Sequence, residues 1–585
     1  MSFHNITGPA AAATNASAQQ QYSAAPAPQT AHADGLYLAI IAAFVSVVSF
    51  IVYFRHDAIL LYGDAVAHMH IARRVLDSRT PGLLQLGTVW LPLPHILMLP
   101  FVISRWMWRT GLGGSIPSMG AYVAGTLGIF RLVRDSIAGT HPEHRTVARV
   151  AAWSAALIYA GNPNLIYLQA TAMTEPLYLA LFIWALVFFA EFVRICNPGA
   201  RTGDGFTPVV EPAGRALRRC GILLLLAILT RYDGWFLATF LVLVAFAVIW
   251  RWTGRRIALW RSPLRPAFTR FVLIIAAAPL LWFVYNAAVW GNPLEFATGP
   301  YSARAIEQRS SSLSHFHHPG WHSPRTALVY FVKSARLNMA NSLQREYGNE
   351  PGTRSQNIWV PLALAGTALL LIFARGLWPW LLLWIPLPFY VLSIAWGGVP
   401  IFMPVWWPFS YYNVRYGSQL LPAFAVLSAA VLYVIAARLR AKPVLLAATV
   451  LLLGFVGISY TNIWRATPIC LMEARSNSET RLPFELQLGA ELKRLPPNAT
   501  FLMYTASNVG ALQRAGIRLR RTINETNYRL WQAALLRPAA AADYVVASDG
   551  DPLAFMMRYH AEQFDPVAVV DVKGQARTVI YRRKQ

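Results

Sequence analysis

The stretch LYLAIIAAFVSVVSFIVYF, residues 36–54, holds no charged side chain. At a rise of 1.5 Å per residue it is long enough for a helix to cross about 30 Å of hydrocarbon. Similar runs recur downstream near 115–133, 146–166, 176–194, 218–232, 235–250, 271–290, 357–374, 377–396, 417–437 and 443–463. The chain has 585 residues, of which 56% are hydrophobic and 13% charged, with a mean hydropathy of +0.40. Soluble domains carry about 25% charged residues, so a plain soluble enzyme is excluded. The fold class is an α-helical polytopic membrane protein of about eleven transmembrane helices.

Charge places the loops. Lysine and arginine number 51 against 26 acids, a formal +25. The excess sits in short loops at 131–149, 194–219, 251–270 and 438–442, which marks these as cytoplasmic and gives no support to nucleic-acid binding. An odd number of crossings then puts the C-terminus outside. Residues 1–35, rich in Ala, Gln, Ser and Pro, form a disordered cytoplasmic tail in which the sequons at Asn5 and Asn15 are chance matches. Residues 88–108 are apolar but hold Pro92, Pro94 and Pro100. A full crossing there would invert every later loop, so the segment is taken as a half-inserted interfacial helix on the outer face. Beyond residue 465 short β-type and helical runs alternate. Strands near 499–504, 517–523, 544–547 and 567–572, with helices near 508–514, 528–536 and 552–563, predict a small extracytoplasmic α/β domain, 466–585, that follows the membrane domain, 36–465. No Gly-rich phosphate loop opens its helices, so nucleotide binding has no support. Cys196, Cys220 and Cys470 are too few for a disulfide framework or a zinc site.

Polar residues capable of chemistry concentrate on the outer side of this topology. In YGDAVAHMHIARR a helical reading puts Asp64 and His68 on one face; the plain alternative is that Asp64 caps the helix. Glu175, before Pro176, complements a helix dipole or, at a membrane boundary, has a functional partner. In TRYDGWF, Arg231 and Asp233 occupy a tight turn and either satisfy each other or serve a substrate. Arg415, among Tyr411, Tyr412 and Tyr416, suits a snorkelling role or the bidentate grip of a phosphate. The loop from Gly291 carries Tyr301 and Arg304 and then HFHHPGWH with His315, His317 and His318, which reads as a substrate-covering loop and not as a metal site.

The order GDAVAHMHIAR at Asp64, GTVWLPLPH, TEPLYLAL at Glu175, RYDGW at Arg231 and VRYGSQLLP at Arg415 resembles the membrane glycosyltransferases of the GT-C superfamily. The likeness is to the bacterial family 39 and RgtA-like proteins, related to protein mannosyltransferases and the lipid A aminoarabinose transferase. It covers residues 36 to about 465. What it implies is an outward cavity where a polyprenyl-phosphate-linked sugar meets a glycan, lipid or protein acceptor. Asp64 then corresponds to the base of the first outer loop, Glu175 to the second acid and Arg415 to the phosphate contact. An adjacent Asp-Glu pair and an Asp-x-Asp motif are both missing, so no cofactor and no metal are implied.

These residue types suit the chemistry. Sugar transfer from phosphate to a hydroxyl needs a base for the acceptor proton and cations for the charge on the departing phosphate. The expectation is an inverting transferase of the bacterial cytoplasmic membrane, embedded among its lipids, with Asp64 and Glu175 catalytic and His68, Arg231, Asp233, Tyr301, Arg415 and Tyr416 binding substrate. The alternatives are a polyprenyl-lipid transporter, which calls for midplane charges and an internal repeat that the sequence does not display, and a non-catalytic scaffold built on the outer domain.

Overall fold

The computed structural model describes residues 29–196, 207–252, 262–314, 316–341, 351–506 and 508–584. Most of the tail assigned to 1–35, with both sequons, lies outside them, as does His315. Among the described residues nine helical segments are long and apolar enough to cross a membrane. The first, Gln29–Arg55, turns Leu36, Phe44 and Val48 outward, as an apolar helix does when its neighbours are lipid tails. The deepest core lies instead between Leu112–Thr140, Glu175–Ile195 and Leu421–Leu439, where Phe130, Phe182 and Phe424 are buried. The two remaining predicted spans are also helical. The run 146–166 forms Arg145–Ala160 and then Pro163–Gln169, broken where Asn162 caps the second piece by accepting from the Asn164 and Leu165 N–H groups. The run 218–232 belongs to Thr207–Ile228, which begins well before its apolar part with Glu211, Arg215, Arg218 and Arg219.

The proline-rich segment forms two short helices, Leu93–Val102 and Arg105–Thr110. Ten residues rise about 15 Å, half the hydrocarbon thickness. Its two ends meet parts of one and the same face: His95 bonds His68 near one end, and Arg105 donates to the Gly516 carbonyl near the other.

After Lys442–Ala466 come the helices Ile469–Ser478 and Arg481–Arg494 and a five-stranded sheet. Its strands are β1 (Phe501–Met503), β2 (Thr522–Ile523), β3 (Tyr544–Ser548), β4 (Phe564–Val570) and β5 (Thr578–Arg583), in the order β2-β1-β3-β5-β4. β1 pairs in parallel with β2 and β3, and β5 pairs antiparallel with β3 and β4. Strand β5 is an addition to the four expected, and the second strand is shorter because residues 519–521 form a 3-10 turn. The sheet domain leans on the first large loop: Gln513 donates to the Trp108 carbonyl, Gln85 to that of Thr526, and Asn527 to the Thr80 hydroxyl.

Candidate functional site

Asp64 lies in the first turn of the helix Gly63–Leu76, where a carboxylate complements the helix dipole. It is not the cap, because Tyr62 holds that position without a side-chain bond. Glu175 and Asp233 are the first residues of Glu175–Ile195 and Asp233–Trp252, and Arg415 lies in the 3-10 turn Val414–Leu420 that leads into Leu421–Leu439. Four separate element beginnings therefore bring their charges to one end of the helical body.

The charges form a row in which acids and cations alternate. Arg231 Nε faces both Asp233 oxygens at 3.1 and 3.2 Å, and its Nη1 donates to Glu175 Oε1 at 3.1 Å. The same Glu175 oxygen accepts from Arg415 Nε at 3.2 Å. Arg415 Nη2 reaches Asp64 Oδ2 at 2.5 Å, and its Nη1 reaches Glu473 Oε1 at 2.5 Å. Tyr390 donates its hydroxyl to Asp233 Oδ2 and accepts from Arg231 Nη2. The Tyr416 ring lies under both guanidiniums, 5.0 Å from Arg231 and 5.1 Å from Arg415. Within the row only Asp64 is substantially exposed, with 41% of its side chain accessible against 1% for Glu175, 0% for Glu473 and 6% for Arg415. Asp64 is thus the acid of the row most open to solvent.

Glu473 was not singled out from the sequence. It comes from Ile469–Ser478, beyond the last span, and accepts from the backbone N–H groups of Asn413 and Arg415 at 2.9 and 3.0 Å. Asn413 adopts φ 56°, a conformation Asn tolerates better than most residues, and so turns its N–H toward the acid. Tyr390 and Thr174, whose hydroxyls bond Arg231, were also missed. A lone acid in LMEAR and a tyrosine inside an apolar run leave no pattern in a sequence.

His68 sits beside the row, its Nδ1 2.9 Å from His95 Nε2 and its ring against Trp90. Burial pushes His68 down to about 4, against the opposing pull of Asp64 and Glu175, so it is neutral near pH 7. Tyr301 stands apart. Its hydroxyl bonds that of Tyr504 in the sheet domain, and no described contact joins it to the carboxylates. The histidine loop has an acid the sequence reading overlooked: Glu307 lies 3.6 Å from His317 and 3.8 Å from His318. A separate group of potential metal ligands, His141, Glu143 and His144, touches Tyr433, well over four helical turns along the chain from Arg415, and plays no part in the row.

No protein-family model and no curated protein sequence matches the chain. Among solved structures it is similar to ArnT from Cupriavidus metallidurans bound to undecaprenyl phosphate, with 14% identity, a TM-score of 0.48, and coverage of 95% of this chain and 98% of that one. For the apo state of the same protein the figures are 14%, 0.49, 92% and 97%. For the Archaeoglobus fulgidus oligosaccharyltransferase tethered with an acceptor peptide they are 11%, 0.42, 94% and 74%.

Proposed function

We propose that the chain is a membrane glycosyltransferase that moves a sugar from a polyprenyl-phosphate donor to an acceptor hydroxyl, with Asp64 as the base. The observation that carries this reading is the single exposed carboxylate at the end of a buried, cross-braced charge row. A general base must reach the acceptor proton while its orientation is held, and Arg415 holds Asp64 by one oxygen and leaves the other for substrate. Arg415 spends three of its five N–H donors on Asp64, Glu175 and Glu473, which leaves two for a phosphate oxygen. Arg231 has its guanidinium engaged by Asp233, Glu175, Thr174 and Tyr390, and it serves better to place Glu175 than to grip the leaving group. Glu175, 1% exposed and bonded by both arginines through Oε1, serves to hold Arg415 in place beside Asp64. One base and direct departure of the phosphate imply inversion at the anomeric carbon. In this scheme Arg415 supplies the positive charge for the departing phosphate.

The test is transfer from a panel of labelled polyprenyl-phosphate sugars by membranes holding the wild type or Asp64→Asn, with the host's cell-envelope extract as acceptor. Asp64-dependent labelling supports the reading and names the donor. Full activity in a correctly folded Asp64→Asn protein would overturn the assignment of the base.

A further inference from the structure

We propose that the crevice at the ends of β1 and β3 is a second ligand site, one that seats a neutral saccharide unit of the acceptor; this rests on the transferase reading. The topology selects the place. The chain leaves β1 in one direction to reach β2 and then crosses back to β3 on the other side. Successive connections therefore diverge between β1 and β3, and in open α/β sheets ligands bind outside the carboxyl ends of strands at such a point. A cavity of about 360 Å3 lies there, within the range of small-ligand sites. Tyr504 and Asn508 line it after β1, Ser548 at the end of β3, and Asp549 and Asp551 just beyond it. Phe484 closes one wall, and Arg309, from the helix Ala303–Ser314, closes another.

The lining decides the ligand class. The helix Pro552–His560 points its N-terminus toward the crevice, but its Ala554 N–H already goes to Asp551 Oδ1 at 2.7 Å, and the other Asp551 oxygen accepts from the Ser548 N–H. With Asp549 beside it, this edge repels a phosphate. Arg309 across the cavity, which also donates to the Pro300 carbonyl, offsets part of that negative charge and lessens the pull on a cationic amine. What remains is a neutral polyol, whose hydroxyls donate to the carboxylates and accept from the Asn508 amide while its C–H faces lie on Tyr504 and Phe484. The crevice is also near the charge row. Arg481 packs on Gly63, next to Asp64, and donates to the Leu60 and Leu61 carbonyls. Phe484 follows one turn later on the same helix, about 5 Å of rise away. The bond between Tyr301 and Tyr504 joins the loop after Gly291 to the same place.

Binding of methyl hexopyranosides and methyl pentopyranosides to the full chain in nanodiscs, followed by saturation-transfer NMR with inorganic phosphate as the anion control, tests this. Wild type and Asp64→Asn are expected to bind a pyranoside. Asp549→Asn should bind about tenfold more weakly, as loss of a charged hydrogen bond requires. Ala576→Trp, at an exposed lining position whose side chain bonds nothing, should abolish binding by filling the space. In transfer assays Asp549→Asn should need about tenfold more envelope extract for half-maximal labelling. Pyranoside binding lost in Ala576→Trp, in a protein that transfers no sugar from any donor, would keep the site and sink the transferase reading. Transfer with no pyranoside bound, or binding unchanged in both crevice variants, would overturn the site. Phosphate binding there would overturn it as well.

Discussion

Asp64 and Glu473 are held by the same guanidinium, yet their substitutions should fail differently. Asp64 is exposed and its loss leaves Arg415 with two buried acids, so Asp64→Asn should fold normally and lose about 10²- to 10⁴-fold in transfer rate, the usual weight of a general base. Glu473 is fully buried and satisfies two backbone N–H groups besides Arg415. Removing one partner of a buried pair typically costs about 3–5 kcal/mol, so Glu473→Gln should lower the thermal midpoint clearly in detergent. Equal midpoints for the two variants would contradict this division of roles. The imidazoles add a pH dependence. Burial lowers both His68 and His95, so the unfolded chain takes up their protons first. That contribution to stability is complete above about pH 6.5 and is lost as pH falls toward about 4. A His68→Gln variant should flatten midpoint against pH over that interval.

The elements carry these residues to one end by starting there. Gly417, in the turn that presents Arg415, passes so close to Pro324–Met339 that an added Cβ would land on the Ser334 backbone. Neither backbone has room to yield, so Gly417→Ala should destabilise by about 1–3 kcal/mol and displace Arg415, with transfer falling together with the thermal midpoint. Wild-type values for both would mean that the approach is not tight. At this scale the sequence was legible where one neighbour dictates the pattern. Helices facing lipid announce themselves by unbroken apolar length, and β1 and β3 by short β-branched and aromatic runs. The segment TVIYRR of β5 escaped because its basic half sits at a sheet end, where solvent tolerates charge. Asp64, Glu175, Arg231, Asp233 and Arg415 could be picked out one by one, since a charge beside an apolar span is costly without a purpose. The local pairing of Arg231 with Asp233, two residues apart, was legible too, but the links of Glu175 to Arg231 and of Asp64 to Arg415 were not, because they depend on contacts 56 and 351 residues apart. Tyr301 was chosen for its loop, and that loop packs on the sheet domain.

Across the whole molecule, the first large loop, the ends of the helices that bear the charge row and the sheet domain make a single face. Arg149 and Asp34 pair at the far end, near the beginning of the first helix. All three natural cysteines are buried, so introduced ones can be read cleanly. In intact cells a membrane-impermeant maleimide should label Arg79→Cys and Arg520→Cys alike, and Arg440→Cys only after lysis. Opposite labelling of the first two would break the assembled face, and labelling of all three in intact cells would reverse the loop assignment.

The bond from Glu473 to Arg415 also sets an order on biogenesis. A ribosome inserts the helices first, and for as long as Ile469–Ser478 is unmade the arginine lacks its most deeply buried anion and the turn before it lacks the acceptor for two N–H groups. On the transferase reading proposed above, a half-translated chain therefore occupies the bilayer without the geometry that would let it consume lipid-linked sugar. Competence would arrive only with the part of the polypeptide that follows the last span, which ties readiness to completed synthesis.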